Sequence, residues 1–101
     1  MALPVMKKMT DNHFMVQGEL NMQTVPALTR DTQALLAGAD GEVEIDLSGV
    51  TRADSAGLAL LAQWLRLAKR DGFSLCFQNV PAQLLQIARV SELHKILPIQ
   101  D

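Results

Sequence analysis

The sequence contains a single cysteine, Cys76, no tyrosine and few aromatic residues, which make up 4% of the chain. One cysteine can form neither an internal disulfide nor a zinc site alone, so we expect a reducing, cytosolic compartment. Because Cys76 lies in the apolar run FSLCFQ, we expect a buried, unreactive thiol. No cluster of His, Cys or carboxylate residues has the spacing of metal ligands, and the sequence predicts no metal site.

The chain also lacks an excess of positive charge and a long hydrophobic run. Its formal net charge is −2, and no basic stripe is present that could neutralise the phosphates of a nucleic acid or an anionic membrane surface. The longest apolar run, 56–62, is far shorter than the roughly 20 residues of a membrane-spanning helix. We therefore expect a cytoplasmic protein that does not enter the membrane, although it can still work beside a membrane as a subunit.

Motifs of nucleotide-binding proteins and of hydrolases are missing as well. The six glycines form neither G-x-G-x-x-G nor a P-loop, and no serine stands in a G-x-S-x-G elbow. The sequence thus gives no support for a bound cofactor or for catalysis.

What is present is a hydrophobic content of 49% in 101 residues, enough for one domain, 1–101, with a single core. Apolar periodicity and turn residues predict, in chain order, strands over 6–9 and 14–17, a helix capped by Thr24 and ended by Gly38 or Gly41, a central strand over 42–47, a helix over 55–70, a strand over 73–78, a helix opened by Pro81, and a short apolar segment over 96–99. This order predicts an α/β domain with a mixed four- to five-stranded sheet, helices packed on it and right-handed crossovers.

The stretch VTRADSAGLAL carries the most functional information. Asp54 and Ser55 lie where a strand gives way to a helix, and both residue types are good N-caps. A helix N-terminus also favours added negative charge, so Ser55 is well placed to carry a phosphate, although neighbouring Asp54 would repel it. A nucleophilic Ser55 would need a base, and the only histidines, His13 and His94, stand in no recognisable catalytic context.

The helix that follows Ser55 has three faces. The core face consists of Leu58, Leu61, Ala62, Trp64, Leu65 and Ala68. The solvent rim on the opposite side consists of Ala59, Gln63, Arg66 and Arg70. The flank between them consists of Ala56, Leu60 and Leu67. Two interpretations of the flank remain open. It is either part of a wide buried arc or an apolar partner-binding strip rimmed by Gln63 and the arginines.

The strand EIDLSGV, followed by TRADSAGLALL and a helix ending in AKRDG, resembles the STAS domain of anti-sigma-factor antagonists and sulfate-transporter tails. The segment GELNMQTVPAL resembles the entry to that family's first helix, so the likeness covers nearly the whole chain. The resemblance implies a mixed sheet with helices packed on it and no catalytic activity.

Within the family, two branches give different expectations. The runs DSAGLALL and LAKR resemble the small STAS subunit of bacterial ABC phospholipid transporters that maintain outer-membrane lipid asymmetry. That likeness implies docking on the ATPase subunit through a surface headed by Asp54 and Ser55, with Ala56, Leu60 and Leu67 as its apolar part.

The antagonist branch implies instead that an anti-sigma factor kinase phosphorylates Ser55 to control partner choice. Ala56 replaces a second small polar residue that is often found in that branch. Because no membrane segment precedes the domain in this sequence, we expect a stand-alone domain rather than a transporter tail.

Overall fold

The computed structural model describes residues 4–100. The elements are, in chain order, β1 (Val5–Thr10), β2 (His13–Leu20), α1 (Val25–Leu36), β3 (Glu42–Ala53), α2 (Ser55–Asp71), β4 (Ser74–Gln78), α3 (Ala82–Val90) and a 3₁₀ turn (Leu93–Lys95). This order confirms the expected α/β domain. Within residues 4–100, no helix has the length and hydrophobicity needed to cross a bilayer.

The four strands form one mixed sheet in the order β1-β2-β3-β4. The hairpin β1–β2 is antiparallel, whereas β3 pairs in parallel with both β2 and β4. The predicted central strand is therefore central, with a neighbour on each side. Since the carboxyl ends of β2 and β3 lie at the same edge of the sheet, the starts of α1 and α2 are brought together there.

One face of the sheet forms the core with the helices. Phe14, Ile45 and Phe77 stand side by side on β2, β3 and β4, and each is at most 1% exposed. Alternate residues on the opposite face, such as Met15 and Asp46, are only half-buried. Strict alternation along 42–47 therefore identified the buried face correctly.

Cys76 lies on this second face and is half-buried, so the expectation of a buried thiol was wrong. Its neighbours Leu75 and Phe77 point into the core, and a period of two sends the residue between them outward. Partial burial raises the pKa of the Cys76 thiol, and the charges of Glu42 and Glu44 raise it further. The expectation of low reactivity is consistent with that shift.

Strands β2 and β3 are longer than their patterns predicted, because two glycines let them continue through irregular register. Pairing shifts between Met15 and Gln17 and again after Gly18. A Cβ at Gly18, whose φ is +110°, would lie 2.8 Å from Pro4 Cα, and one at Gly49 would lie 2.9 Å from the Val16 carbonyl oxygen. Bulges of this kind interrupt the hydrophobic alternation by which strands are recognised in a sequence.

The C-terminal segment adds a single bridge rather than a full fifth strand. Phe77 donates its N–H to the Pro98 carbonyl at 2.8 Å and accepts from the N–H of Gln100 at 2.9 Å. The bridge places Ile99 parallel to Phe77 beside β4. The short apolar segment over 96–99 thus lies beside the outer edge of β4.

Candidate functional site

The candidate site begins where β3 passes into α2. The backbone N–H of Asp54 donates to the carbonyl of Leu20 at 3.2 Å, and the N–H of Ala53 donates to Gln83 Oε1 at 3.0 Å. The end of β3 is therefore held by β2 on one side and by α3 on the other. These bonds fix the point from which α2 leaves the sheet.

Asp54 alone caps α2. Its Oδ1 accepts a hydrogen bond from the N–H of Ala56 at 2.8 Å, and its backbone is extended, as expected of an N-cap residue. Ser55 is the first residue of the helix and is exposed, and its hydroxyl makes no hydrogen bond to another residue of 4–100. Of the two predicted caps, Asp54 is confirmed and Ser55 is not.

A glycine allows the first turn of α2 to sit close against the sheet and α3. A Cβ at Gly57 would lie 3.2–3.3 Å from Leu20 Cβ, Ala53 Cβ and Leu84 Cδ2. This packing sets how far Ser55 stands above the sheet edge.

The turn before α1 lies at the same edge of the sheet. Asn21 Oδ1 accepts from the N–H groups of Gln23 and Thr24 at 2.9 and 3.1 Å. Thr24 occupies the N-cap position, but its hydroxyl donates to the Glu19 carbonyl at 2.8 Å and makes no capping bond. The predicted Thr24 cap was wrong, because the buried hydroxyl bonds within the turn. The helix ends at Leu36, with Ala37 as its C-cap and Gly38 following in the left-handed region (φ +81°), so the predicted stop at Gly38 is confirmed.

A surface groove runs between α1 and α2, and we call it the α1–α2 groove. Its first half, about 380 Å³, is lined by Val25, Pro26, Thr29, Ala59, Leu60 and Gln63. Its second half, about 90 Å³, is lined by Thr29, Gln33, Gln63, Trp64, Arg66, Leu67 and Arg70. The two halves share Thr29 and Gln63 and therefore adjoin at these residues.

Of the two interpretations of the flank, the structure supports the wide buried arc for Leu60 and Leu67 and not the apolar partner-binding strip. Leu60 is 1% exposed and Leu67 is 7% exposed, so both lie at the bottom of the α1–α2 groove as core residues. Conversely, Leu65, which was assigned to the core face, is only half-buried. The helical wheel misplaced Leu65 and left Leu60 and Leu67 undecided because α2 packs against α1 as well as against the sheet, which turns its buried arc towards α1.

The remaining predicted site residues are accessible. Asp54, Ser55 and Gln63 are exposed, and Ala56 is half-buried. The opposite wall of the groove comes from α1 and was missed. Its one signal in the sequence is the stripe Val25, Thr29 and Gln33, spaced four residues apart on one side of that helix.

A buried polar pair joins the two walls. Trp64 Nε1 donates to the hydroxyl of Thr32 at 2.9 Å, and that hydroxyl donates to the Thr29 carbonyl at 3.1 Å. The Trp64 ring lies 6.3 Å from the ring of Phe77, tilted by 38°. The pair therefore links α1 to α2 and α2 to the sheet.

Neither histidine is placed to activate Ser55. His13 pairs in register with Glu44 near the start of β3, roughly 25–30 Å along the strand from its end at Ala53. His94 lies in the 3₁₀ turn, where its Nδ1 is 3.4 Å from the Ala88 carbonyl oxygen. Among residues 4–100, no three His, Cys, Asp or Glu side chains gather as a metal site would require.

Two acidic groups have lowered pKa values, and neither lies at Ser55. Burial alone would raise the pKa of Asp46, but hydrogen bonds from the Asn79 amide and from Ser48 outweigh it and lower the pKa. The pKa of exposed Asp71 is lowered by its hydrogen bond with Arg70, whose Nε lies 2.9 Å from Oδ1.

A cleft of about 420 Å³ beside β4 and α3 contains none of the predicted site residues.

The comparisons with known proteins agree with this architecture. A family model described as "Mlab, STAS domain" matches residues 6–98. The chain belongs to the STAS domain family. Among solved structures, a Thermotoga maritima protein shares the STAS fold with a TM-score of 0.77 at 18% identity, over 93% of this chain and 83% of that one.

Similar proteins of higher sequence identity carry two kinds of name. An anti-sigma-B factor antagonist of Bacillus subtilis is 28% identical over 98% of this chain and 92% of its own length. The intermembrane phospholipid transport system binding protein MlaB of Escherichia coli is 41% identical, but over 48% of this chain and 50% of its own length. An anti-sigma factor antagonist from Mycobacterium paratuberculosis has a TM-score of 0.68 at 28% identity, over 95% of this chain and 82% of its own.

Proposed function

We propose that this chain is a non-catalytic, cytoplasmic STAS subunit that binds the ATPase of an ABC phospholipid transport complex. In that role it supports the assembly and activity of a transporter that maintains outer-membrane lipid asymmetry. The observation that carries the proposal is the family model described as "Mlab, STAS domain", which spans 6–98, together with 41% identity to MlaB over half of the chain.

The geometry supports a docking role. Ser55 projects from the first turn of a 17-residue helix, and its hydroxyl makes no bond to residues 4–100 that docking would have to break. It stands at the same edge of the sheet as the turn carrying Met22, which is 77% exposed. Met22 thus supplies an exposed apolar side chain beside the polar residues Asp54 and Ser55, and an apolar centre with polar surroundings is the usual composition of a protein interface.

Co-expression with the ATPase subunit of such a transporter from the same organism tests the proposal. The wild-type chain is expected to co-purify with the ATPase, and Ser55→Arg, which places a long cation at the head of the surface, is expected to reduce recovery at least tenfold. Ser74→Arg is the matched control, because Ser74 is also exposed but lies at the start of β4, at the edge of the sheet opposite to Ser55. Failure of the wild type to co-purify would contradict the proposal, and equal recovery of both variants and the wild type would contradict the docking role of Ser55.

A second candidate function is that of an anti-sigma-factor antagonist switched by phosphorylation of Ser55. The favouring observations are the exposed hydroxyl at a helix N-terminus and the likeness to the Bacillus subtilis antagonist over almost the whole chain. Intact-mass analysis after incubation with an anti-sigma factor kinase and ATP tests it. Phosphate that appears on the wild type and is absent from Ser55→Ala would support this function, and an unmodified wild type beside a modified control substrate would exclude it.

A further inference from the structure

The α1–α2 groove changes character along its length. Its first half is bounded by small apolar groups, including Val25, Pro26 and Ala59. Its second half is bounded by the amides of Gln33 and Gln63 and by two arginines, and no acidic residue lines either half. The lining therefore favours an occupant that is apolar at one end and negatively charged at the other.

Arg66 is the cation that is available to a partner. The guanidinium of Arg70 is already bonded to Asp71, with 2.9 Å between Nε and Oδ1. Arg66 makes no ion pair with a residue of 4–100, and its Nη1 has only a 3.4 Å contact with Gln63 Oε1. A carboxylate brought to this end of the groove would meet a guanidinium that lacks an acidic partner.

The walls also determine the backbone of the occupant. Both walls are α-helices, whose N–H and C=O groups are bonded within each helix and cannot pair with an added strand. An extended segment would leave its own backbone groups unpaired against these walls, whereas a helix satisfies them internally. Helices pack readily into such grooves through their side-chain ridges.

We propose that the α1–α2 groove accepts a helix of the ATPase subunit that carries an apolar residue and, two turns further on, an acidic residue. The apolar side chain packs beside Ala59 and the carboxylate pairs with Arg66. Arg66 lies seven positions after Ala59, which is about 10 Å along α2. On the partner helix the same distance separates residues i and i+7. The inference rests on the proposed function and specifies the chemistry of the partner's surface.

Binding of purified ATPase subunit, measured by biolayer interferometry at low and high salt, tests this inference. Arg66→Ala is expected to weaken binding several-fold and Arg66→Glu about tenfold or more, mainly through slower association, and both should flatten the salt dependence. Lys69→Glu is the matched control. It makes the same charge change in the same stretch of α2, at an exposed residue that does not line the groove, and we expect an effect within twofold.

Each other outcome is decisive. If Arg66→Glu binds like the wild type while Ser55→Arg does not, the inference fails and the proposed function stands. If neither variant changes binding, the groove contact and the docking role of Ser55 both fail, whereas a wild type that does not bind the ATPase would overturn the proposed function itself. Equal losses in Arg66→Glu and Lys69→Glu would mean general charge attraction and would overturn the assigned groove contact. Thermal unfolding of each variant separates these results from loss of the fold.

Discussion

At the scale of single residues, the hydroxyl of Thr32 has a role that its position in the sequence does not reveal. Thr32 is fully buried, and its hydroxyl accepts a hydrogen bond from the indole N–H of Trp64, the only tryptophan in the sequence. A threonine on the inner face of an amphipathic helix usually indicates a break in the apolar stripe. Here the threonine satisfies a polar group that the core could not otherwise accommodate.

Replacement of Thr32 by valine, which has the same size but no hydroxyl, would leave the Trp64 N–H buried and unbonded. We expect Thr32→Val to lower the free energy of unfolding by about 1–3 kcal/mol. Urea unfolding followed by the fluorescence of Trp64 measures this loss. Thr29→Val, the same change one turn earlier on α1, serves as the control with an expected effect below about 0.5 kcal/mol. Equal stability of Thr32→Val and the wild type would contradict the assigned role.

Asp46 couples stability to pH. Because its pKa is lowered in the folded state, its contribution is present above the unfolded pKa near 3.8 and is lost as pH falls through the lower folded value. We expect Asp46→Ala to cost about 1 kcal/mol near pH 7. That difference should shrink as the pH falls below the unfolded value near 3.8 and through the lower folded value. Urea midpoints across this range check the trend, and exposed Asp40→Ala is the control. A difference that stays constant with pH would contradict the linkage.

At the scale of elements, the sequence predicted the type and order of every helix and strand, but it predicted the buried face of α2 less well. Because side chains of a strand alternate between the two faces of the sheet, the alternation of apolar and polar residues in 42–47 identified the buried face of β3. A helical wheel assumes a single partner surface, and α2 has two. The position of α1 beside α2 follows from tertiary packing, and for that reason the sequence alone did not decide whether Leu60 and Leu67 on the flank are buried.

The contrast between Leu60 and Leu65 tests the corrected face. Leu60 is 1% exposed and Leu65 is half-buried, the reverse of the order expected from the wheel. We expect Leu60→Ala to lower the free energy of unfolding by about 2–5 kcal/mol and Leu65→Ala to cost clearly less. Chemical denaturation of the two variants compares them on the same helix with the same atoms removed. A larger loss in Leu65→Ala would restore the original assignment.

The candidate site was also partly predictable at this scale. The strand-to-helix junction was evident in the sequence, since a run of alternating residues ends just before two capping residues and an apolar helix. The α1 wall was not evident, because Val25, Thr29 and Gln33 differ in polarity and form a stripe only when their helix is seen beside α2. Proximity of two elements that are distant in the chain is a property of the sheet order.

At the scale of the whole molecule, stability should be graded across the sheet. β3 is paired on both sides, whereas β1 has a partner only on its β2 side within the described chain. The central strand can exchange its amide hydrogens only when much of the domain opens, but an edge strand can fray locally.

Native-state hydrogen exchange measured by NMR tests this gradient. We expect the amides of Val43, Ile45 and Leu47 to be the most protected and to exchange with the free energy of global unfolding. Amides of β1 should exchange at least tenfold faster. Uniform protection across the four strands would contradict this order and would indicate that the domain opens only as one unit.

The division of labour between Asp54 and Ser55 has an evolutionary consequence. The Asp54 carboxylate caps α2, whereas the Ser55 hydroxyl makes no hydrogen bond to another residue of 4–100. Substitutions at position 55 should therefore leave the stability of the domain unchanged. Selection for binding can act at this position without a loss of protein abundance. In a mutational scan that scores abundance and partner binding separately, position 54 should be constrained in both scores and position 55 in binding alone. A lineage could thus change partners, or acquire a phosphorylation switch, by substitutions at one residue while keeping the same stable scaffold.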